Sequence, residues 1–127
     1  MAQIRVVLFA KDLDRVAGFY TGALGFVHMS GDGEHAVLRR DGFVLVVHRV
    51  PPSVAASIEI ASPPARRTSS ALRLDYTIAS VADARRLARS LGGEVDDAPA
   101  PWAGGDTRFF LGHDPEGNPF GLREIRA

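Results

Sequence analysis

The spacing of hydrophobic positions changes several times along the chain, and each change marks an element. Between Gln3 and Ala10, the residues Ile4, Val6, Leu8 and Ala10 alternate with Gln3, Arg5, Val7 and Phe9, the two-residue period of a strand. From Leu13 the period becomes helical. Leu13, Val16, Ala17, Tyr20 and Leu24 fall on one face, Asp12 precedes them as an N-cap, and Gly25 stands where the helix should stop. Three short strands are predicted next, over residues 26–30, 34–40 and 43–50, with Gly31-Asp32-Gly33 and Asp41-Gly42 at the turns. The first fifty residues therefore read βαβββ.

Residues 51–71 lose all periodicity and are rich in Pro, Ser and Ala, with an Arg66-Arg67 pair. A loop this long within a compact domain usually links modules or covers a site; Ile58-Glu59-Ile60 is expected to add a turn or short strand. The opening pattern then returns. Leu72, Leu74, Tyr76 and Ile78 alternate with Arg73, Asp75 and Thr77, Ser80 offers an N-cap, and Val81, Ala84, Leu87, Ala88 and Leu91 form a helical stripe ending at Gly92-Gly93. Strands near 94–96, 107–111 and 118–125 complete a second βαβββ unit. An offset of 68 places Arg5 on Arg73, Val7 on Asp75 and Asp12 on Ser80, whereas an offset of 75 places Asp41-Gly42 on Glu116-Gly117, Val46 on Gly121 and His48 on Arg123. The expected fold is α+β: one domain over residues 1–127, with module 1 at about 1–50, a linker at 51–71 and module 2 at about 72–127.

Composition narrows the functional classes. The 127 residues, 46% hydrophobic and 24% charged, suit one globular domain that supports a core without disulfides. With no cysteine there is no thiol nucleophile, thiolate zinc site or iron–sulfur cluster. Fifteen basic residues balance fifteen acidic ones, so no global field draws the chain to nucleic acid or to an anionic membrane. The first apolar stretch, broken by Arg5, is too short for a signal-peptide core, and no stretch reaches the ~20 apolar residues of a membrane helix, so a cytoplasmic location is expected.

In each repeat the apolar face of the first strand suits the following helix, which leaves the mixed face to look elsewhere. Two repeats side by side would bring Arg5, Arg73, His48 and Arg123 towards one concave surface, with Val7 and Phe9 sharing the parity of Arg5. The structural alternative is an internal Arg–Asp network, because Asp75 shares the parity of Arg73.

Several segments together resemble the vicinal oxygen chelate superfamily, which includes glyoxalase I, bleomycin-resistance proteins and extradiol dioxygenases. They are residues 6–13 running into Phe19-Tyr20 and Leu24-Gly25-Phe26, then Pro101-Trp102, and Asp114-Pro115-Glu116-Gly117-Asn118-Pro119-Phe120. The resemblance spans nearly the whole chain. It implies paired βαβββ modules forming a curled mixed sheet around a cavity, and a homodimer. Metal-dependent members place ligands near the start of each module and on its last strand, positions that correspond here to Arg5, Val46, Arg73 and Gly121. Arginine is a cationic donor with no lone pair to give, and Val and Gly carry no donor atom. A two-residue shift would supply only His48 and Arg123, and one imidazole does not make a catalytic metal site. The resemblance, with this departure, implies a member with no metal and no other cofactor.

The chemistry left to such a protein is the binding of a small organic ligand. Guanidinium groups at Arg5, Arg73 and Arg123 suit an anionic or oxygen-rich molecule, and His48 is the candidate general acid or base. Val7, Phe9, Asp75 and Gly121 complete the expected lining, and Trp102 offers a flat ring to close over a ligand. His28 and His35 lie on neighbouring strands and could reach the same cavity, whereas His113 is expected to face solvent beside its turn. Asp114 and Asn118 are expected to hold that turn. Two readings stay open beside the binding protein: an isomerase or lyase using His48 with arginines, and a metal-dependent glyoxalase- or dioxygenase-like enzyme whose ligands lie elsewhere.

Overall fold

The computed structural model describes residues 3–101 and 108–125. Module 1 consists of β1 (Ile4–Ala10), α1 (Leu13–Ala23), β2 (Val27–Gly31), β3 (His35–Arg40) and β4 (Phe43–Arg49). A one-turn helix α2 (Pro52–Ala55) opens the linker, and module 2 follows with β5 (Leu74–Ile78), α3 (Val81–Ser90), β6 (Glu94–Val95), β7 (Phe109–His113) and β8 (Pro119–Glu124). Each module forms a four-stranded mixed sheet, in the orders β1-β4-β3-β2 and β5-β8-β7-β6. The first strand of each pairs in parallel with the last, and the others pair antiparallel.

Strand register reproduces the repeat numbering. Val6, Val7, Leu8, Phe9 and Ala10 lie beside Leu45, Val46, Val47, His48 and Arg49. Adding 68 and 75 to those positions gives the pairs of the second sheet: Leu74 with Phe120, Asp75 with Gly121, Tyr76 with Leu122, Thr77 with Arg123, and Ile78 with Glu124. The helix starts also correspond. Asp12 accepts a hydrogen bond from the Arg15 N–H and Ser80 one from the Asp83 N–H, both at 3.1 Å, which satisfies a free amide at each N-terminus. Gly25 and Gly92 then adopt positive φ after the helices, the conformation that glycine tolerates best.

One core joins the two modules. Fully buried Leu13, Val16, Phe19 and Leu24 of module 1 cluster with Val95, Phe120 and Leu122 of module 2. Aromatic rings bridge the modules, with Phe19 5.9 Å from Phe120 and Phe26 5.6 Å from Tyr76, centre to centre. Because Tyr76 and Phe120 turn into this core, their strand neighbours Asp75, Thr77 and Gly121 belong to the opposite face of the sheet. Likewise Val6 and Leu8 pack against the core, so Arg5, Val7 and Phe9 lie on the far face of the first sheet.

Three details differ from the sequence expectation. Residues 58–60 form neither strand nor helix; the linker's only regular turn among the described residues is α2. Strand β6 is limited to two residues, and β7 extends through Gly112 to His113. The sequence pattern ends at Leu111 because glycine carries no side chain to continue an alternation. Gly112 is nevertheless well placed, since a Cβ there would lie 2.6 Å from both the Glu94 carbonyl oxygen and the Phe120 ring. Residue Thr107 lies outside the described residues.

Candidate functional site

The far face of the first sheet gathers four of the sequence candidates. Register sets Phe9, His48 and His35 in a row across β1, β4 and β3, with ring centres 5.7 Å apart for Phe9–His48 and 6.3 Å for His48–His35. The two imidazoles lie 17° from parallel. The next row is Val7, Val46 and Val37, and the one after is Arg5, Val44 and Arg39. This face is open: Phe9 is 61% exposed and Val7 47%. His48 Nδ1 sits 2.8 Å from the Arg49 carbonyl oxygen. Since a carbonyl only accepts, Nδ1 is the donor in this contact, and Nε2 is the ring nitrogen left for another partner. His35 is instead held by Asp32, whose carboxylate lies 3.1 Å from Nδ1. Asp32 also accepts from the Glu34 and His35 amides, and these contacts hold its carboxyl below the ordinary range.

The second sheet gathers the other group. Arg73 donates through Nε and Nη2 to the two oxygens of Asp75, at 2.8 and 3.0 Å, and its guanidinium lies 5.4 Å from the centre of the Phe109 ring. The Arg–Asp pair is thus present. Asp75 lies beside Gly121 and Thr77 beside Arg123. A cavity of about 320 Å³ takes in Asp75 and Thr77 together with Arg40 and Phe43, and none of the first-sheet candidates. Another, of about 860 Å³, takes in Val7 and Phe9 and none of the second-sheet candidates. The structure therefore presents the expected site residues as two groups on two faces. Trp102 lies outside the described residues.

Sequence reasoning missed the contacts that lock the modules together. Asp114 holds its own turn as expected, accepting from the amides of Glu116 and Asn118 at 2.8 and 3.1 Å. It is also fully buried and accepts the Tyr20 hydroxyl at 2.8 Å, 94 positions away. Burial, and then the Asp114 charge, push the Tyr20 phenol well above its usual pKa; burial does the same to Tyr76. Glu116 accepts from the Lys11 and Asp12 amides at 2.8 and 2.7 Å, fixing the β1–α1 corner to module 2. The available signals were a tyrosine in an apolar helical stripe, which needs a partner for its hydroxyl, and two acids in one tight turn.

His113 corrects an expectation. Rather than facing solvent it is half-buried, and its Nδ1 receives the Arg66 Nε–H at 2.9 Å, while Arg66 donates to both oxygens of Asp96 at 3.0 and 2.8 Å. The linker arginine thereby anchors to module 2. An imidazole that accepts from a guanidinium must be neutral at that nitrogen. Burial and the adjacent Arg66 charge lower the His113 pKa from 6.5.

The strand positions where metal ligands are expected do not supply a donor set. At the centre of the first sheet stand Val7 and Val46, which carry no donor atom. At the corresponding place in the second, Asp75 is committed to Arg73, and a Cβ on Gly121 would lie 2.4 Å from an Asp75 carboxylate oxygen and 2.5 Å from the Phe109 ring. There is no room there for a ligating side chain. Among the described residues no group of three or more His, Cys, Asp or Glu is arranged to hold an ion. Nor, among them, is any helix long and apolar enough to cross a membrane.

Comparisons with known proteins bear on the fold. No curated protein sequence is significantly similar to the chain. A glyoxalase-related enzyme from Fulvimarina pelagi superimposes with a TM-score of 0.69 at 19% identity, covering 98% of this chain and 88% of that one. The bleomycin resistance determinant encoded on transposon Tn5 gives 0.63 at 21% identity, with both chains covered completely. A fosfomycin resistance protein from Listeria monocytogenes gives 0.68 at 15% identity, covering 99% and 90%. The Glyoxalase-like domain family matches residues 5–123, nearly the full length. With its paired βαβββ modules, this chain belongs to the Glyoxalase-like domain family of the vicinal oxygen chelate superfamily.

Proposed function

We propose that the chain is a metal-independent binding protein for a small, oxygen-rich or anionic organic ligand, acting in the cytoplasm as a homodimer. The observation that carries this reading is the pair of strand positions at the sheet centres, Val7–Val46 and Asp75–Gly121, which offer apolar contact and one already paired carboxylate where a metal enzyme needs donors. Arg5 is an exposed cation towards one end of the first face, and Phe9 and His48 supply flat surfaces two rows away, beyond Val7 and Val46. Arg73, Asp75, Gly121 and Arg123 form the second wall. A second copy placing its second-sheet face over Phe9 and Val7 would cover an exposed apolar surface and complete the site, with Trp102 as a closing ring. The Tn5 bleomycin resistance determinant and a bleomycin-binding protein from Streptomyces verticillus share the fold and support a binding role by analogy.

Native mass spectrometry of gently purified protein tests this reading. The expected spectrum is a dimer carrying an organic mass that is released unchanged, and Arg5→Ala should lose that mass. A monomer with no retained or added ligand would contradict it.

The contact of His48 Nδ1 with the Arg49 carbonyl, which leaves Nε2 for a ligand, favours one alternative, an isomerase or lyase in which His48 takes a proton from the ligand while Arg5 and Arg73 stabilise the resulting anion. Conversion of the bound molecule that His48→Ala abolishes without loss of binding would establish the enzyme.

A further inference from the structure

We propose that the seam between the two modules is a binding site for a small uncharged apolar molecule, the size of a single aromatic ring or a short alkyl chain. A cavity of about 130 Å³ lies there between β1 and β5, each the outer strand of its own sheet. Its walls are core-facing side chains: Val6, Leu8 and Leu45 from module 1, and Leu74, Tyr76 and Phe120 from module 2. Register sets Val6 beside Leu45 and Leu74 beside Phe120, and the Tyr76 and Phe120 rings lie 6.4 Å apart, so each wall is built on paired strands. Leu72 and Val7, 60% and 47% exposed, stand where the cavity meets the surface. Val7 is the one position shared with the oxygen-rich or anionic site proposed above; Arg5, Phe9, His48, Arg73 and Asp75 take no part in this lining.

The lining decides the class of ligand. Among the described residues it contains no acid, no basic side chain and no histidine. Most of its polar side chains are turned elsewhere. The Tyr20 hydroxyl and the Asn118 side-chain amide donate to Asp114 at 2.8 and 2.9 Å, and the Ser70 hydroxyl donates to the Leu72 carbonyl at 2.8 Å. Burying an unpaired charge is costly, whereas every apolar carbon removed from water is favourable, so these walls reject ions and accept hydrocarbon. An apolar cavity of about 150 Å³ in a protein interior is enough to take benzene. Because Tyr20 and Asn118 both line the cavity and hold Asp114, an occupant would also brace the contact that joins α1 to the turn after β7.

The test is an NMR titration of the full chain with benzene, with benzoate as the charged control. Benzene should shift the amides of residues 6–8, 45 and 74–76 saturably, and benzoate should bind there at least about tenfold more weakly. Val6→Phe, which fills the cavity from one wall, should abolish the benzene shifts. Val6→Ile adds one methyl group and keeps the proposal testable if the larger ring disturbs folding; it should weaken benzene about fourfold, the weight of one methylene of apolar contact. Benzene should raise the urea midpoint of the parent chain, as a ligand of the folded state alone does, and leave that of Val6→Phe unchanged. No saturable shift, equal affinity for benzoate at these amides, or benzene binding indifferent to both Val6 variants overturns the proposal. So does loss of the benzene shifts in His48→Ala, which would place the ring on the first sheet's far face and leave the functional reading above intact.

Discussion

Removing the Tyr20 hydroxyl should cost more stability than its size suggests. The hydroxyl donates at 2.8 Å to a carboxylate with no solvent exposure, and it joins a helix of module 1 to the turn of module 2. A hydrogen bond to a charged group is worth about 1.5–3 kcal/mol, and a buried site leaves no water to replace the lost donor. Tyr20→Phe keeps the ring, including its edge-on contacts with Phe19 and Phe26. The expected loss is therefore about 1.5–3 kcal/mol, a substantial part of the 5–15 kcal/mol typical of a domain. Asp114→Asn retains the shape but leaves competing donors facing Tyr20 and Asn118, for a loss of about 2–4 kcal/mol. The two changes should not add, since each removes the same contact, and a double-mutant cycle should give a coupling of about 1–2 kcal/mol. Urea unfolding, read from the midpoint at constant slope, supplies the numbers. Additivity within about 0.5 kcal/mol would refute the claim that this contact latches the modules.

Lowering the pH should weaken the fold through His113. The unfolded imidazole takes a proton near 6.5 while the folded one resists it, so the stability present above 6.5 is lost as pH falls through the lowered folded value. Urea midpoints between pH 7.5 and 5 should show this fall, and His113→Asn, which retains an acceptor for Arg66, should flatten it. Both tyrosines should stay protonated through pH 10 in the folded protein, so the rise in phenolate absorbance should coincide with alkaline unfolding; an earlier rise would show an accessible ring. Gly121→Ala should cost about 1–3 kcal/mol, because the new methyl meets Asp75 and Phe109, and thermal unfolding alongside Gly42→Ala, where nothing lies within 4 Å, isolates the steric part.

Periodicity carried the fold into the sequence to an unusual depth. Because strands and helices impose periods of 2 and 3.6, the two offsets could be read from caps, turns and alternation, and they predict every pair of the second sheet's parallel ladder from the first. Chemistry that depends on distant partners was not legible. Nothing local marks Tyr20 as the partner of Asp114, Glu116 as the anchor of the β1–α1 corner, or Arg66 as the partner of Asp96 and His113. Those contacts arise only when the modules dock around one core. The candidate site stands between these cases. Parity predicts that Arg5, His48, Arg73 and Arg123 share one concave surface, whereas the first-sheet and second-sheet residues line different cavities; alternation within strands says nothing about how two faces are set relative to each other.

The most direct test of the central claim is a metal-binding measurement on the intact protein. Protein purified without chelator, then dialysed against zinc, nickel, manganese or ferrous iron, should retain no stoichiometric ion by elemental analysis, and its ligand binding should be indifferent to a strong chelator. One tightly held divalent ion per chain, whose removal abolishes ligand binding or turnover, would contradict the account.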